Sequence, residues 1–145
     1  MTATEFLQEY TKAKLRLIEL NMQLQRVRAK MEGCNPGLVT FSTSRNTYLS
    51  DKLQQEFEQY QDLELSLKDK RAACRRTMRQ VRLAISNVPD PRLRSLLEYR
   101  YIFDRDWKWI AEQLHSNPST ARGRLHYQAL NAFEKIIIDM KHRMC

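Results

Sequence analysis

The sequence predicts an all-α fold: a long antiparallel helical (coiled-coil) hairpin followed by a C-terminal lobe of shorter helices. Two observations predict it. Apolar residues recur with heptad spacing through the first 88 residues. The 145 residues include only 3 Gly and 4 Pro, too few for the turns of a many-stranded sandwich or barrel. We therefore expect two domains: residues 1–88 as a hairpin for oligomerisation or partner binding, and residues 89–145 as the lobe.

The first helix has clear signals at both ends. Thr2 and Glu5 have the spacing of a capping box, and Gly33, followed by the run 35–37 (Asn-Pro-Gly), ends the helix. Its apolar positions alternate steps of four and three residues, as in a coiled coil. These positions are Phe6, Tyr10, Ala13, Leu17, Leu20, Leu24, Val27 and Met31.

A second heptad series follows a polar loop that we expect at residues 40–50. Ser50 is the expected N-cap of this helix and Pro89 ends it. The series consists of Leu53, Phe57, Tyr60, Glu64, Leu67, Arg71, Cys74, Met78, Val81, Ile85 and Val88. Two long helices joined by one loop pair most simply as an antiparallel hairpin. Leu63, Leu65 and Leu83 remain outside the pairing stripe, so they require cover from the lobe or from a second copy, which predicts a homodimer.

The charge of the chain is concentrated in its second half. Lys and Arg number 25 against 17 Asp and Glu, a net charge of +8. Residues 1–70 carry 10 basic and 10 acidic side chains, whereas residues 71–145 carry 15 and 7. A basic half joined to a neutral half predicts a surface for a polyanion. With no apolar run of about 18 residues and no signal-peptide layout, the sequence predicts an intracellular protein that does not bind a membrane.

A run of arginines on the second helix allows two interpretations. It comprises Arg71, Arg75, Arg76, Arg79 and Arg82. Antiparallel pairing places it near acidic residues 5 and 9 of the first helix, so it could be a solvated, partly ion-paired face. Alternatively, it could extend a DNA footprint by contacting phosphates.

Three shorter helices are expected after the hairpin, at residues 91–103, 107–114 and 118–140. Asp90, Asp106 and Asn117 stand as N-caps immediately before them, and Pro91 and Pro118 occupy first helical positions. Residues 115–117 form the turn between the last two helices. This order of cap, short helix, three-residue turn and capped helix is typical of a helix-turn-helix.

Small residues in the last two helices favour the close crossing that a helix-turn-helix needs. Ala111 has no bulk at the crossing, and Ala121 and Leu125 lie four residues apart on the inner face. The outer face then enters a major groove of double-stranded DNA, where Arg122 can contact guanine bidentately. The expected DNA-binding residues are Pro118, Ser119, Thr120, Arg122, Gly123, Arg124, His126 and Lys108. Arg100 and Arg105 lie on the preceding element, which crosses the phosphate backbone in such motifs. The alternative is a helical bundle with a basic surface.

Two residues of the motif, His115 and Trp109, need separate interpretation. His115 stands in the turn where glycine is common, and it is tolerable there only if the backbone avoids a strained φ. Trp109 lies beside the inward stripe, so it either packs against the preceding helix or forms an exposed contact.

The lobe resembles region four of bacterial sigma factors, the helix-turn-helix that reads promoter −35 elements. The resemblance rests on Leu96–Ile102 (LLEYRYI), Trp107–Leu114 (WKWIAEQL), residues 119–121 (STA) and residues 129–130 (AL). The chain as a whole resembles phage and prophage regulators of the RinA and ArpU type, which have a helical N-terminal portion before a sigma-like helix-turn-helix. In motif the resemblance covers about residues 80–135; upstream it is one of layout.

The resemblance implies a sequence-specific activator of phage late genes in the cytoplasm of a bacterial host, with RNA polymerase as a candidate partner. The promoter-reading positions of the family fall on Pro118, Ser119, Arg122 and Gly123. Pro118 and Gly123 depart from the family pattern because neither has a side-chain donor, so base reading would rest on Arg122, Ser119 and His126.

Other function classes are less well supported by the residues. The chain has no Gly-rich phosphate loop, no HExxH and no GxSxG, so we expect neither an enzyme nor a cofactor. The three cysteines form no CxxC pair, and no metal site is expected. The alternative DNA-binding function is a phage small terminase subunit that recognises a packaging site, although its DNA-binding motif usually precedes the oligomerisation helices. A coiled-coil adaptor that binds a host protein is a third possibility.

Overall fold

The computed structural model describes the backbone of residues 2–33 and 44–144, and the side chains of residues 2–33 and 51–143. Throughout these residues the chain is all-α, as predicted, and contains no strand. The helices are α1 (Ala3–Gly33), α2 (Ser44–Ser86), α3 (Pro91–Leu97), α4 (Trp107–Gln113), α5 (Pro118–Thr120) and α6 (His126–Met144). A π turn, Glu98–Ile102, extends α3, and a second π turn, Ala121–Leu125, joins α5 to α6. We call α5, the second π turn and α6 together the final helix.

The predicted ends of the hairpin helices are partly confirmed. Thr2 and Glu5 form the capping box, since the Glu5 amide donates to the Thr2 hydroxyl at 3.2 Å and the Thr2 amide donates to the Glu5 carboxylate at 2.9 Å. α1 ends at Gly33. The predicted cap at Ser50 is wrong because α2 already begins at Ser44. Residues 44–50 contain no Gly or Pro, so nothing interrupts the helix there. The predicted run 35–37 and Cys34 lie outside the described residues.

The two long helices pack in antiparallel order, which confirms the hairpin. The heptad positions of both helices that the structure describes are all buried or half-buried. Leu7 and Ala3, which lie outside the predicted series, are also buried.

Contacts divide the chain into two compact units. One unit, Leu15–Cys74, is the middle of the hairpin, with a core of Leu20, Leu24, Val27 and Leu67. Its polar contacts follow the antiparallel order. Arg71 donates to the Asn21 side chain at 3.4 Å, and Arg28 lies 3.4 Å from Glu64. Leu63 and Leu65 are exposed, as the sequence predicts.

The other unit combines residues 1–14 with residues 75–145, so the ends of both hairpin helices belong with the lobe. Leu7 and Ile85 are fully buried in the same cluster as Leu96 and Phe133, and the Phe6 and Phe133 rings lie 5.7 Å apart. This grouping differs from the predicted domain boundary after residue 88. The reason is that apolar side chains on both sides of that boundary share one core.

Candidate nucleic-acid interface

The helix-turn-helix is built on two side-chain caps. Asp106 accepts a hydrogen bond from the Trp109 amide at 2.8 Å, and Asn117 accepts one from the Thr120 amide at 2.7 Å. Both predicted N-caps are thereby confirmed, and Pro118 occupies the first turn of the final helix. The caps satisfy amides that the helix itself leaves without acceptors, and they fix where each helix begins.

The turn between α4 and the final helix is a Schellman motif. The Ser116 amide donates to the Ala111 carbonyl at 2.9 Å, and the His115 amide donates to the Glu112 carbonyl at 3.4 Å. This pattern requires a left-handed residue after the C-cap, and His115 adopts φ 55°. The condition that histidine is tolerable in this turn only without a strained φ is therefore not met. The hydrogen bonds of the turn impose the conformation, and histidine is among the non-glycine residues that enter it most readily.

The two helices cross through small and branched residues, as predicted. Ala111 and Ala121 are 1% and 0% exposed, and Leu125 is also buried. Ile110 and Ala129 complete the contact within the same core. Because this side of the final helix is buried, the opposite side of its first two turns faces outward.

The outward side of the final helix carries most of the predicted site. Ser119, Arg122, Gly123 and Arg124 are exposed, as is Pro118, whereas Thr120 is half-buried. Lys108 is exposed on α4. Within the described residues neither Arg122 nor Arg124 has an ion-pair or hydrogen-bond partner, so both guanidinium groups are free to bind an anion.

His126 is the one predicted site residue that the structure directs elsewhere. It is half-buried, its Nε2 lies 2.7 Å from the Tyr101 hydroxyl, and its ring meets the Trp107 indole edge-on at 4.8 Å between centroids. The imidazole therefore has a partner within the chain and ties the final helix to the elements before it. That His126 reads a base or phosphate stays a prediction.

The second π turn accounts for this change of direction. Regular α-helical spacing would place residue 126 on the same side as Ser119 and Arg122. Between residues 121 and 126 the chain instead makes an i→i+5 hydrogen bond, from the His126 amide to the Ala121 carbonyl. A wide turn uses more residues per revolution, so the residues after it are rotated relative to those before it. That rotation brings His126 inward.

Burial determines the protonation of the Tyr101–His126 pair. Burial lowers the pKa of His126, and the nearby charge of Arg100 lowers it further. Burial raises the pKa of Tyr101, while Arg100 acts in the opposite direction. Both shifts favour the neutral forms, so the hydrogen bond joins a neutral phenol to a neutral imidazole, and the tautomer of His126 decides which of the two donates.

Two guanidinium groups lie on indole rings beside this pair. The Arg100 guanidinium lies 4.8 Å from the Trp107 ring centre, and that of Arg105 lies 4.8 Å from the Trp109 ring centre. Trp109 also meets Tyr99 edge-on at 4.9 Å, which confirms that it packs against the preceding helix. Helical spacing alone gives no signal for these ring contacts, because Arg100 and Tyr99 lie in the first π turn and Arg105 in the segment before α4, whereas both indoles lie on α4.

The arginine run on α2 is not paired with the acidic residues of α1. Glu5 is part of the capping box, and Glu9 lies 4.0 Å from Lys12. The ion-paired interpretation is wrong in that detail. Arg82 donates to the Tyr10 hydroxyl at 2.7 Å, whereas Arg75, Arg76 and Arg79 are exposed.

The chain matches no protein-family model, no curated protein and no solved structure. Among the described residues, no group of three or more His, Cys, Asp or Glu could hold a metal ion, and Cys145 lies outside those residues. None of the described helices is long and apolar enough to cross a bilayer.

Proposed function

We propose that this chain is a sequence-specific DNA-binding transcription regulator, an activator of phage late genes that works with RNA polymerase in the cytoplasm of the bacterial host. One observation carries the DNA-binding part. A capped helix, packed on α4 through small residues, presents two free guanidinium groups in its first turns. That is the geometry in which a helix enters the major groove. The resemblance to sigma region four and to RinA- and ArpU-type regulators supports the more specific role.

The proposed contacts divide into base reading and phosphate binding. Arg122 reads guanine, because a guanidinium can donate two parallel hydrogen bonds to its N7 and O6. Ser119 contacts a neighbouring base edge or phosphate. Arg124 and Lys108 bind phosphates and fix the register of the protein on the duplex. Gly123 lets the helix backbone approach the DNA closely.

A homodimer is part of the proposal. Leu63 and Leu65 are 45% and 60% exposed on the hairpin, and burying such side chains in a second copy would remove apolar surface from water. A dimer would bind a site of twofold symmetry.

The test begins with selection of bound fragments from random duplex DNA. Arg122→Ala should then weaken binding to the selected sequence by about 1–3 kcal/mol and abolish its preference over random duplex. Arg143→Ala is the matched control: it removes the same charge from an exposed site at the end of α6. It should weaken binding to the selected duplex and to random duplex equally.

Failure to recover any enriched sequence would contradict sequence-specific binding. So would a DNA affinity that does not fall with added salt, because phosphate neutralisation releases counterions. The mass measured by gel filtration distinguishes the regulator from the alternative function. A ring of eight or more subunits would favour a small terminase subunit.

A further inference from the structure

An apolar groove lies away from the helix-turn-helix face, within the unit formed by residues 1–14 and 75–145. Its volume is about 370 Å³. It is lined by Phe6 of α1, by Gln80 and Leu83 of α2, and by Ile137, Met140 and Lys141 of α6. We call it the α6 groove. None of these residues belongs to the proposed DNA interface, so an occupant of the groove would bind independently of DNA.

The groove combines a firm floor with an exposed apolar edge. Ile137 is buried in the core, and Phe6 and Met140 pack against that core. Leu83, by contrast, is 56% exposed at the edge, and Ile138, next to the lining residue Ile137, is 49% exposed. An apolar surface of this kind favours an occupant that presents apolar side chains.

The rim of the groove is mainly cationic. Lys141 lines it directly, and Arg79 and Arg76 lie one helical turn before Leu83 and Gln80 on α2. None of these three cations has an ion-pair partner among the described residues. Glu134, one turn before Ile137, offsets part of this charge.

The acidic residues next to Phe6 do not neutralise the rim. The Glu5 carboxylate accepts from the Thr2 amide at 2.9 Å, and Glu9 lies 4.0 Å from Lys12. Lys12 balances Glu9, whereas the Glu5 carboxylate keeps its charge. Glu5 and Glu134 together still leave the three rim cations with an excess of one positive charge around an apolar floor.

We propose that the α6 groove binds an amphipathic helix of a partner protein, with an apolar face flanked by Asp or Glu. The lining residues come from three helices, and no strand edge is available among the described residues to bind an extended segment. A helix inserts apolar side chains at i, i+3, i+4 and i+7 into such a groove. Its acidic flanks would lie against Lys141, Arg76 and Arg79, so charge sets its preference and apolar burial its affinity.

The experiment uses three fluorescently labelled synthetic peptides with the full-length protein. The first has about 18 residues, with Leu at i, i+3, i+4 and i+7 of each repeat and Glu on the flanks. The second replaces Glu with Lys, and the third replaces Leu with Ser. Fluorescence anisotropy should give saturable binding of the first peptide with a Kd of about 10 μM, and binding of the other two weaker by at least about tenfold.

Two variants locate the binding. Leu83→Ser should weaken binding of the acidic peptide by about tenfold, whereas Leu15→Ser, at an exposed leucine outside the groove, should leave that binding unchanged. Arg79→Glu with Lys141→Glu should reverse the preference, so that the Lys peptide binds more tightly than the Glu peptide. Circular dichroism confirms that each variant is folded.

Any of three results would overturn the proposal: no saturable binding of the acidic peptide up to about 100 μM, equal affinity for the Glu and Lys peptides, or unchanged affinity in Leu83→Ser. DNA binding by Leu83→Ser should equal that of the wild type, and Arg122→Ala should bind the acidic peptide as tightly as the wild type does. The groove and the DNA interface can therefore fail separately.

Discussion

At the scale of single residues, the positive φ angles in the described chain occur at residues other than glycine. The two non-glycine residues with positive φ in the described chain are Asp104 and His115, at 53° and 55°, whereas Gly123, in the second π turn, does not have a positive φ. A Cβ added at Gly123 would meet nothing within 4 Å. Packing within the chain therefore does not require glycine at position 123.

Gly123→Ala should raise the free energy of unfolding by about 1 kcal/mol, because alanine loses less backbone entropy in a helix. The same substitution should weaken binding to the selected DNA, since a methyl group would stand between the backbone and the groove. Urea denaturation and DNA titration measure the two effects.

Gly33→Ala is the matched control for this substitution. A Cβ there also meets nothing within 4 Å, but Gly33 ends α1 and lies outside the proposed interface. It should leave DNA affinity unchanged. If Gly123→Ala stabilises the protein and also leaves DNA affinity unchanged, the proposal that the backbone approaches DNA closely at this position is wrong.

At the scale of elements, one hydrogen bond joins a residue of the first π turn to the residue that follows the second π turn. Tyr101 lies in the first π turn, and His126 follows the second. Their 2.7 Å hydrogen bond, with Trp107 against the imidazole, joins the final helix to the elements that precede it. The contact therefore helps to fix the orientation of the final helix, whose outward face carries Arg122.

The free energy of unfolding should depend on pH through His126. Its pKa is lower in the folded chain than the ordinary value of 6.5, so the unfolded chain binds more protons between the two values. The stability from the neutral imidazole is fully present above 6.5 and is lost as the pH falls through the folded value. Denaturation curves recorded from about pH 7 downward measure this loss.

His126→Gln should remove this part of the pH dependence, and His142→Gln, at an exposed histidine near the end of α6, controls for the loss of a histidine. Tyr101→Phe should lower the free energy of unfolding by about 1 kcal/mol, because it removes the hydroxyl that hydrogen-bonds His126. An unaltered pH profile in His126→Gln would show that His126 is not the titrating group.

At the scale of the whole molecule, the lobe shares its core with the ends of the two hairpin helices. Ala3, Leu7 and Tyr10 of α1 are buried in the cluster that contains Leu97 and Phe133. A fragment of residues 89–145 would therefore expose part of this cluster to water. The loss of that burial reduces the hydrophobic contribution to its folding.

We expect residues 89–145 alone to show no cooperative unfolding transition. In the full chain, Leu7→Ala should lower the free energy of unfolding by about 2–5 kcal/mol, since it leaves a cavity in this core. Leu15→Ala, at an exposed leucine, should change the free energy of unfolding by less than about 0.5 kcal/mol. A cooperative unfolding transition of the fragment, measured by calorimetry, would instead support an independent C-terminal domain.

Much of the fold could be predicted because it follows from short-range rules. The caps at Asp106 and Asn117 act on amides three residues away, and the heptad stripes need only helical periodicity. The exposed positions Arg122 and Arg124 follow from the same periodicity near the cap. His126 lies beyond the second π turn, where that periodicity no longer applies, so its direction could not be predicted.

The sequence by itself determined the helices, the caps at Asp106 and Asn117 and the basic face, because each depends on residues that are neighbours along the chain or along one helix. The antiparallel pairing could be predicted from the succession of two long helices with apolar stripes. Only the tertiary structure decided that the ends of the hairpin share a core with the lobe, that His126 turns toward Tyr101, and that Leu83 borders a groove. These features join residues far apart in sequence. Such contacts depend on how helices pack, and the spacing within a single helix does not specify that packing.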